Sequence, residues 1–286
     1  MSKLTPRKID HIVLPVPDLD VARARYSELG FMVADDARHS FGTENCCVNF
    51  ENGTFLEPLA IGHRETVEAN EIKGNTFLRR DAAYRFRKGE NGFSMAVFLG
   101  KDARAERKQF AKLGYNTGKL VKVKRPGLSV IGAFVLDERA PDATLFLIER
   151  PDGTPKFAKA QTAHENGALA LARITMFEPV PSDFQYYLQR VTGQRDPNSH
   201  SFGLDFQAPN GILSVMNRYG LSGFYGIERE RFDRGLEFVA FDILVSSLEK
   251  TIHVLKSNNV EFRKIGPRIV VQPAEGQGAV LAFVEK

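Results

Sequence analysis

Two polar side chains stand where this sequence otherwise places apolar ones. His11 lies inside Ile9-Asp10-His11-Ile12-Val13-Leu14, and Glu57 lies inside Phe55-Leu56-Glu57-Pro58-Leu59-Ala60-Ile61. Both stretches read as strands. Alternate residues of a strand share a face, so His11 groups with Ile9 and Val13, and Glu57 with Phe55 and Leu59. A carboxylate in such company is costly unless it is paired or bound to a cation. A converging imidazole and carboxylate suit Zn, Mn, Fe or Ni. Alternatively, the two side chains simply hydrogen-bond each other or the backbone.

The elements that must hold them recur. Residues 8–16 form a strand ended by Pro15 and Pro17, and Asp18 is a natural N-cap. A helix from Leu19 to about Leu29 follows, with Leu19, Ala22, Tyr26 and Leu29 at helical spacing and Gly30 closing it. Strands are expected at Phe31–Ala34, Cys46–Phe50 and Thr54–Ile61, with Asn52-Gly53 as a hairpin turn. This βαβββ order returns three more times, starting at GFSMAVFLG, ALARITMF and EFVAFDILV. HSFGTENCCVNFENGTF (39–55) is echoed by HSFGLDFQAPNGIL (200–213), so His200 answers His39. The Pro- and Gly-rich stretch 151–168 reads as the seam between two halves, 1–155 and 156–286.

Bulk properties exclude several functions. The chain has 286 residues and a net charge of +4, too mild to imply nucleic acid. The basic runs Tyr84–Lys88 and Lys119–Arg125 read as solvated strand faces or loops. No apolar run approaches the length of a membrane span, and the first ten residues lack the apolar core of a secretory signal. Cys46 and Cys47 are adjacent, cannot bridge without strain, and read as free thiols, which suits a reducing cytoplasm. No phosphate-binding glycine loop, dinucleotide fingerprint, H-E-x-x-H or G-x-S-x-G is present.

Four βαβββ units in this length resemble the vicinal oxygen chelate superfamily, which includes glyoxalase I, extradiol dioxygenases and bleomycin-resistance proteins. The sharper resemblance is to its glyoxalase-like domain proteins. It is carried by IDHIVLPVPDLD (9–20), GTEN (42–45), NGTFLEPLAI (52–61), LFLIERPDGTP (145–155) and HENGALALARI (164–174). It implies an α+β fold in which four modules form two paired, half-open, eight-stranded cups. It also implies a divalent metal held by His11 and Glu57, because the first and fourth strands of a unit supply ligands there. Glu149 is the candidate third donor, and Glu57 or Glu149 the proton shuttle. In the second unit the place of His11 falls near Met95, a poor ligand for a hard metal.

The other half departs further. Arg173 takes the place of His11, Val215 or Ser214 that of Glu57, and the fourth unit offers Ala240. The two-histidine, one-carboxylate set of a ring-cleaving dioxygenase is therefore missing. His39, Arg173 and His200 are candidate substrate contacts, with a loop histidine and a snorkelling arginine as the bland alternatives. His164 is a candidate to hold the seam against the first half. The expected activity is a metal-assisted lyase or isomerase step on a small molecule with vicinal oxygens. The alternatives are a non-catalytic binding protein of the bleomycin-resistance type and a structural or regulatory homodimer.

Overall fold

The computed structural model describes residues 4–125, 128–151, 153, 155–228 and 234–285. Asp152 and Thr154 of the expected seam lie outside them. The first unit opens with β1 (Ile9–Pro15), buried along its whole length. The Asp18 carboxylate then accepts from the Asp20 and Val21 N–H groups and starts α1 (Leu19–Glu28). Gly30, at φ +82°, turns the chain away after it.

The strand expected at Phe31–Ala34 does not form. Phe31 packs edge-on against Tyr26 and Phe50, and Ala34 makes a single backbone bond to Cys47. Sheet pairing is taken up instead by β2 (Ala37–Arg38) and β3 (Thr43–Asn45), followed by β4 (Val48–Asn49) and β5 (Phe55–Ile61). Asn52-Gly53 turns between the last two, with Gly53 at φ +84°.

Two helices then intervene that the strand pattern did not reveal, α2 (Arg64–Ile72) and α3 (Thr76–Lys88). The basic run 84–88 is therefore the last turn of a helix and not a strand or loop. Phe77, Leu78, Asp81 and Tyr84 are buried at helical spacing, and Arg85 bonds Asp81 one turn back at 2.8 Å.

The second unit is β6 (Met95–Leu99), α4 (Ala103–Lys112), β7 (Val121–Arg125), β8 (Leu128–Val135) and β9 (Thr144–Glu149). The third is β10 (Ala168–Phe177), α5 (Gln185–Thr192), β11 (Asn198–His200), β12 (Gly203–Ala208) and β13 (Gly211–Met216), with an added α6 (Arg218–Tyr225). The fourth is β14 (Glu237–Val245), α7 (Leu248–Ser257), β15 (Arg263–Ile265), β16 (Arg268–Val271) and β17 (Val280–Glu285).

These elements make two curled half-barrels, as expected of an α+β fold with paired cups. The first follows the order β2-β3-β5-β1-β6-β9-β8-β7, with β4 also on β5, and the second β11-β12-β13-β10-β14-β17-β16-β15. One large apolar cluster joins the halves, drawing on Leu14, Leu56 and Phe98 from the first sheet and Leu171, Leu213 and Phe283 from the second. The repeated Asn-Gly turns help lock them. Asn210 donates to Ile9 O and accepts from Ile9 N, while Thr54 accepts from the Leu171 N–H. Among the described residues no helix is long and apolar enough to cross a membrane.

Candidate functional site

The concave face of the first sheet holds a cavity of about 320 Å³. At its floor β1 and β5 run parallel, with His11 opposite Phe55 and Val13 opposite Glu57. This brings His11 Nε2 to 3.3 Å from Glu57 Oε2. The imidazole stacks on Phe55 with ring centroids 4.3 Å apart. The other Glu57 oxygen accepts from Asn45 Nδ2 at 2.6 Å, and His39 Nε2 lies 3.7 Å from it. His39, expected as a substrate contact, therefore reaches the same group from the loop before β3, its Nδ1 resting 2.9 Å from Thr43 Oγ1.

Behind His11 stands a residue that strand alternation would send to the opposite face. The pairing of β1 with β6 slips between Ile9 and His11, a β-bulge centred on Asp10. A bulge re-aims side chains, and here Asp10 Oδ1 lies 2.6 Å from His11 Nδ1. Arg150, just past β9, closes the chain with a bidentate grip on the same carboxylate. Arg150, Asp10, His11 and Glu57 thus alternate guanidinium, carboxylate, imidazole and carboxylate in one buried row. Sequence reasoning missed Asp10, Asn45 and Arg150, because neither bulges nor loop returns leave a periodic signal.

The electrostatics follow from that row. Burial alone would push the Asp10 carboxyl up, but hydrogen bonds and charge from Arg150 and His11 prevail and hold it below the usual range. Burial likewise opposes a charged His11, yet Asp10 and Glu57 on its two nitrogens raise its pKa above 6.5. Glu57 is pushed up by burial and pulled further down by His11, His39 and Asn45, so its pKa is lowered. The row therefore favours the charged imidazole between its two carboxylates more than water would.

Glu149 does not join them. Its carboxylate turns to the start of α4 and accepts from the Ala103 N–H at 3.0 Å. The sheet register explains why. β1 and β6 cross with Ile12 opposite Ala96, and β6 runs beside β9 with Val97 opposite Phe146. The counterparts of His11 and Glu57 in the second unit are therefore Met95 and Phe146.

A resident divalent metal does not fit this donor set. His11 and Glu57 supply one nitrogen and one carboxylate, and the equivalent places in the second unit, Met95 and Phe146, supply no donor for a hard metal. Among the described residues, no group of three or more His, Cys, Asp or Glu is placed to hold a metal. Among the described residues, the buried polar atoms without a partner belong to Asp81, Ser94, Glu106 and Gln194, and none of these four lines the cup.

The second cup is filled. Register assigns Arg173, Ser214, Ala240 and Ala282 to the places of His11, Glu57, Met95 and Phe146. Leu221 and Tyr225 of α6 pack into its concave face against Phe177, Met216 and Val270. The Tyr225 hydroxyl lies 2.7 Å from both Thr175 Oγ1 and Asp242 Oδ1. Arg173 pairs with Asp205 at 3.0 Å and also bonds Ser214, and His200 Nε2 lies 3.6 Å from Asp205. Arg173 and His200, expected to meet a substrate, are thus drawn into an internal network of their own half.

Comparison with known proteins agrees with this architecture. The glyoxalase-like domain family matches residues 9–192. A search of curated proteins finds no match. Among solved structures, a hypothetical protein from Staphylococcus aureus is similar with a TM-score of 0.70 at 10% identity, covering 99% of this chain and 100% of that one. A mutant 4-hydroxymandelate synthase from Streptomyces coelicolor gives 0.67 at 13%, covering 98% and 92%. The Mn(II)-bound glyoxalase from Novosphingobium aromaticivorans gives 0.60 at 11%, covering 98% and 83%. At such identities the likeness is one of fold. The chain belongs to the glyoxalase-like domain family, and its paired βαβββ cups make it a vicinal oxygen chelate protein.

Proposed function

We propose that the first half, residues 1–155, is an acid–base catalyst of the lyase or isomerase type acting on a small molecule with neighbouring oxygens. The observation that carries this reading is the Asp10–His11–Glu57 row at the floor of an apolar cup. Glu57 is the base. It takes a proton from the hydroxyl-bearing carbon beside a carbonyl; the C–H pair becomes the C=C bond of an enediolate, and the carbonyl π pair moves to its oxygen. The His11 imidazolium, held charged by Asp10, faces the growing negative charge, as preorganised electrostatic stabilisation requires. Passing the hydroxyl proton to the former carbonyl oxygen, and returning the first proton from Glu57 to the former carbonyl carbon, completes an isomerisation with no net proton change. The second half, 156–286, serves as scaffold.

A metal-dependent version of the same chemistry has support from the fold alone, since one solved neighbour is a Mn(II)-bound glyoxalase. The donor set described above weighs against it. The competing reading is a binding protein without turnover, and it is favoured by the complete pairing of the polar floor.

The test is deuterium wash-in at the CH₂ group of 2-hydroxyacetophenone, followed by NMR. Exchange is expected with the wild-type protein, is lost in Glu57→Gln, and survives a chelator. No exchange above the buffer rate sinks the catalytic reading.

A further inference from the structure

Residues 155–164 of the seam form a strap bordering the first cup, and contacts on either side of it fasten the chain to the first half. At one end Arg150 grips Asp10. At the other, His164 Nδ1 accepts from the Met32 N–H at 3.0 Å and Nε2 lies 2.9 Å from Asn49 O. Between these anchors Phe157 meets Phe55 edge-on at 6.2 Å and lines the cavity, as does Gln161. The Gln161 side chain accepts from the Ala158 N–H at 2.9 Å and so braces its own turn. Pro155, Phe157 and Gln161 of the strap thus form one side of the cavity.

The interior it closes is aromatic and electrically balanced. Phe134 and Phe146 stack at 4.7 Å, and Phe77 stands edge-on to Phe146 at 6.4 Å. Arg150 is spent on Asp10, and His11 lies between two carboxylates. Among the described lining residues Arg150, His11 and His39 each already face a carboxylate, and the exposed Asp35 at the rim repels an anionic ligand. A cavity of this size is at the small end of ligand sites.

Resting on the assignment of the first cup as the site, we propose that the strap is its specificity wall, with Phe157 closing the aromatic end. The cup thereby selects a flat, uncharged, ring-bearing molecule with a hydroxyl for Glu57.

The test is calorimetric titration of the whole protein at neutral pH with 2-naphthol and 2-naphthoate, which share a ring system and differ in charge. 2-Naphthol is expected to bind at least about tenfold more tightly than 2-naphthoate. Phe157→Ala, with an unchanged melting temperature, is expected to weaken 2-naphthol by about tenfold, and Phe157→Tyr by less than about threefold. Equal or tighter binding of 2-naphthoate, no binding of 2-naphthol, or an inert Phe157→Ala would overturn the proposal. Binding of 2-naphthol without deuterium exchange sinks the catalytic reading and leaves this one standing. Exchange without 2-naphthol binding does the reverse.

Discussion

Arg150 holds Asp10 through two parallel hydrogen bonds of 2.7 Å, joining the end of β9 to the start of β1 across 140 residues. The pair is buried, and Asp10 in turn orients His11. Arg150→Met strands a carboxylate in the interior and is expected to destabilise the protein by about 3–5 kcal/mol. Replacing both partners, as Asp10→Asn with Arg150→Met, should cost clearly less than the single change. Urea unfolding of the two variants measures this. Equal losses would show that the pair does not act as a unit.

The same row sets the pH profile of stability. The folded pKa of His11 is raised, so its contribution is fully present below its ordinary 6.5 and is lost as pH climbs through the raised value. Asp10 and Glu57 are lowered, so their contributions are present above their ordinary values of 3.8 and 4.5 and are lost on acidification through the folded ones. A plateau around weakly acidic to neutral pH is expected. Glu57→Gln removes one carboxylate that keeps His11 charged and should flatten the alkaline decline. An unaltered alkaline limb in that variant would count against the pairing.

Metal should matter little. Dialysis against a chelator is expected to leave the melting temperature and 2-naphthol binding unchanged, and added Zn²⁺ or Mn²⁺ should give no saturable stabilisation. Stabilisation by either ion that disappears in His11→Ala would restore the metal reading.

The strap depends on a neutral histidine. Burial lowers the His164 pKa, and its contacts suit the tautomer with the proton on Nε2. Its contribution is therefore present above its ordinary 6.5 and lost as pH falls through the lowered folded value. His164→Ala should cost about 1–3 kcal/mol and speed hydrogen exchange at the Met32 amide. Unchanged exchange there would show that the anchor is idle.

Tyr225 carries the corresponding load in the other half. Tyr225→Phe removes a buried hydroxyl from between Thr175 and Asp242 and should destabilise by about 1–3 kcal/mol. The first cup should still bind 2-naphthol as before. A linked loss of binding would mean that the cups communicate.

The repeating units and the facing of His11 and Glu57 were legible because strand alternation and the βαβββ order are periodic. Asp10 was not, because one bulge reverses its face. Glu149 misled because a glutamate at a strand end looks the same in sequence whether it meets a ligand or a helix start. Phe146, its apolar neighbour, holds the equivalent register position. The helices α2, α3 and α6 fall where the repeat has no counterpart to predict them. Arg173 and His200 were read by analogy with a cup that stays open, and α6 removes that premise.

That helix has a wider consequence. With Tyr225 and Leu221 seated where a visiting molecule would lie, the second half carries an occupant tethered by its own backbone. A tethered occupant has an effective concentration that few free compounds can match. The two halves have thus divided the labour of one inherited design. One keeps its chamber available for exchange with the surroundings, and the other has made its tenant permanent. Trimming α6 to small side chains would hand an engineer a second, chemically different chamber bordered by arginines, on a scaffold already built to hold one.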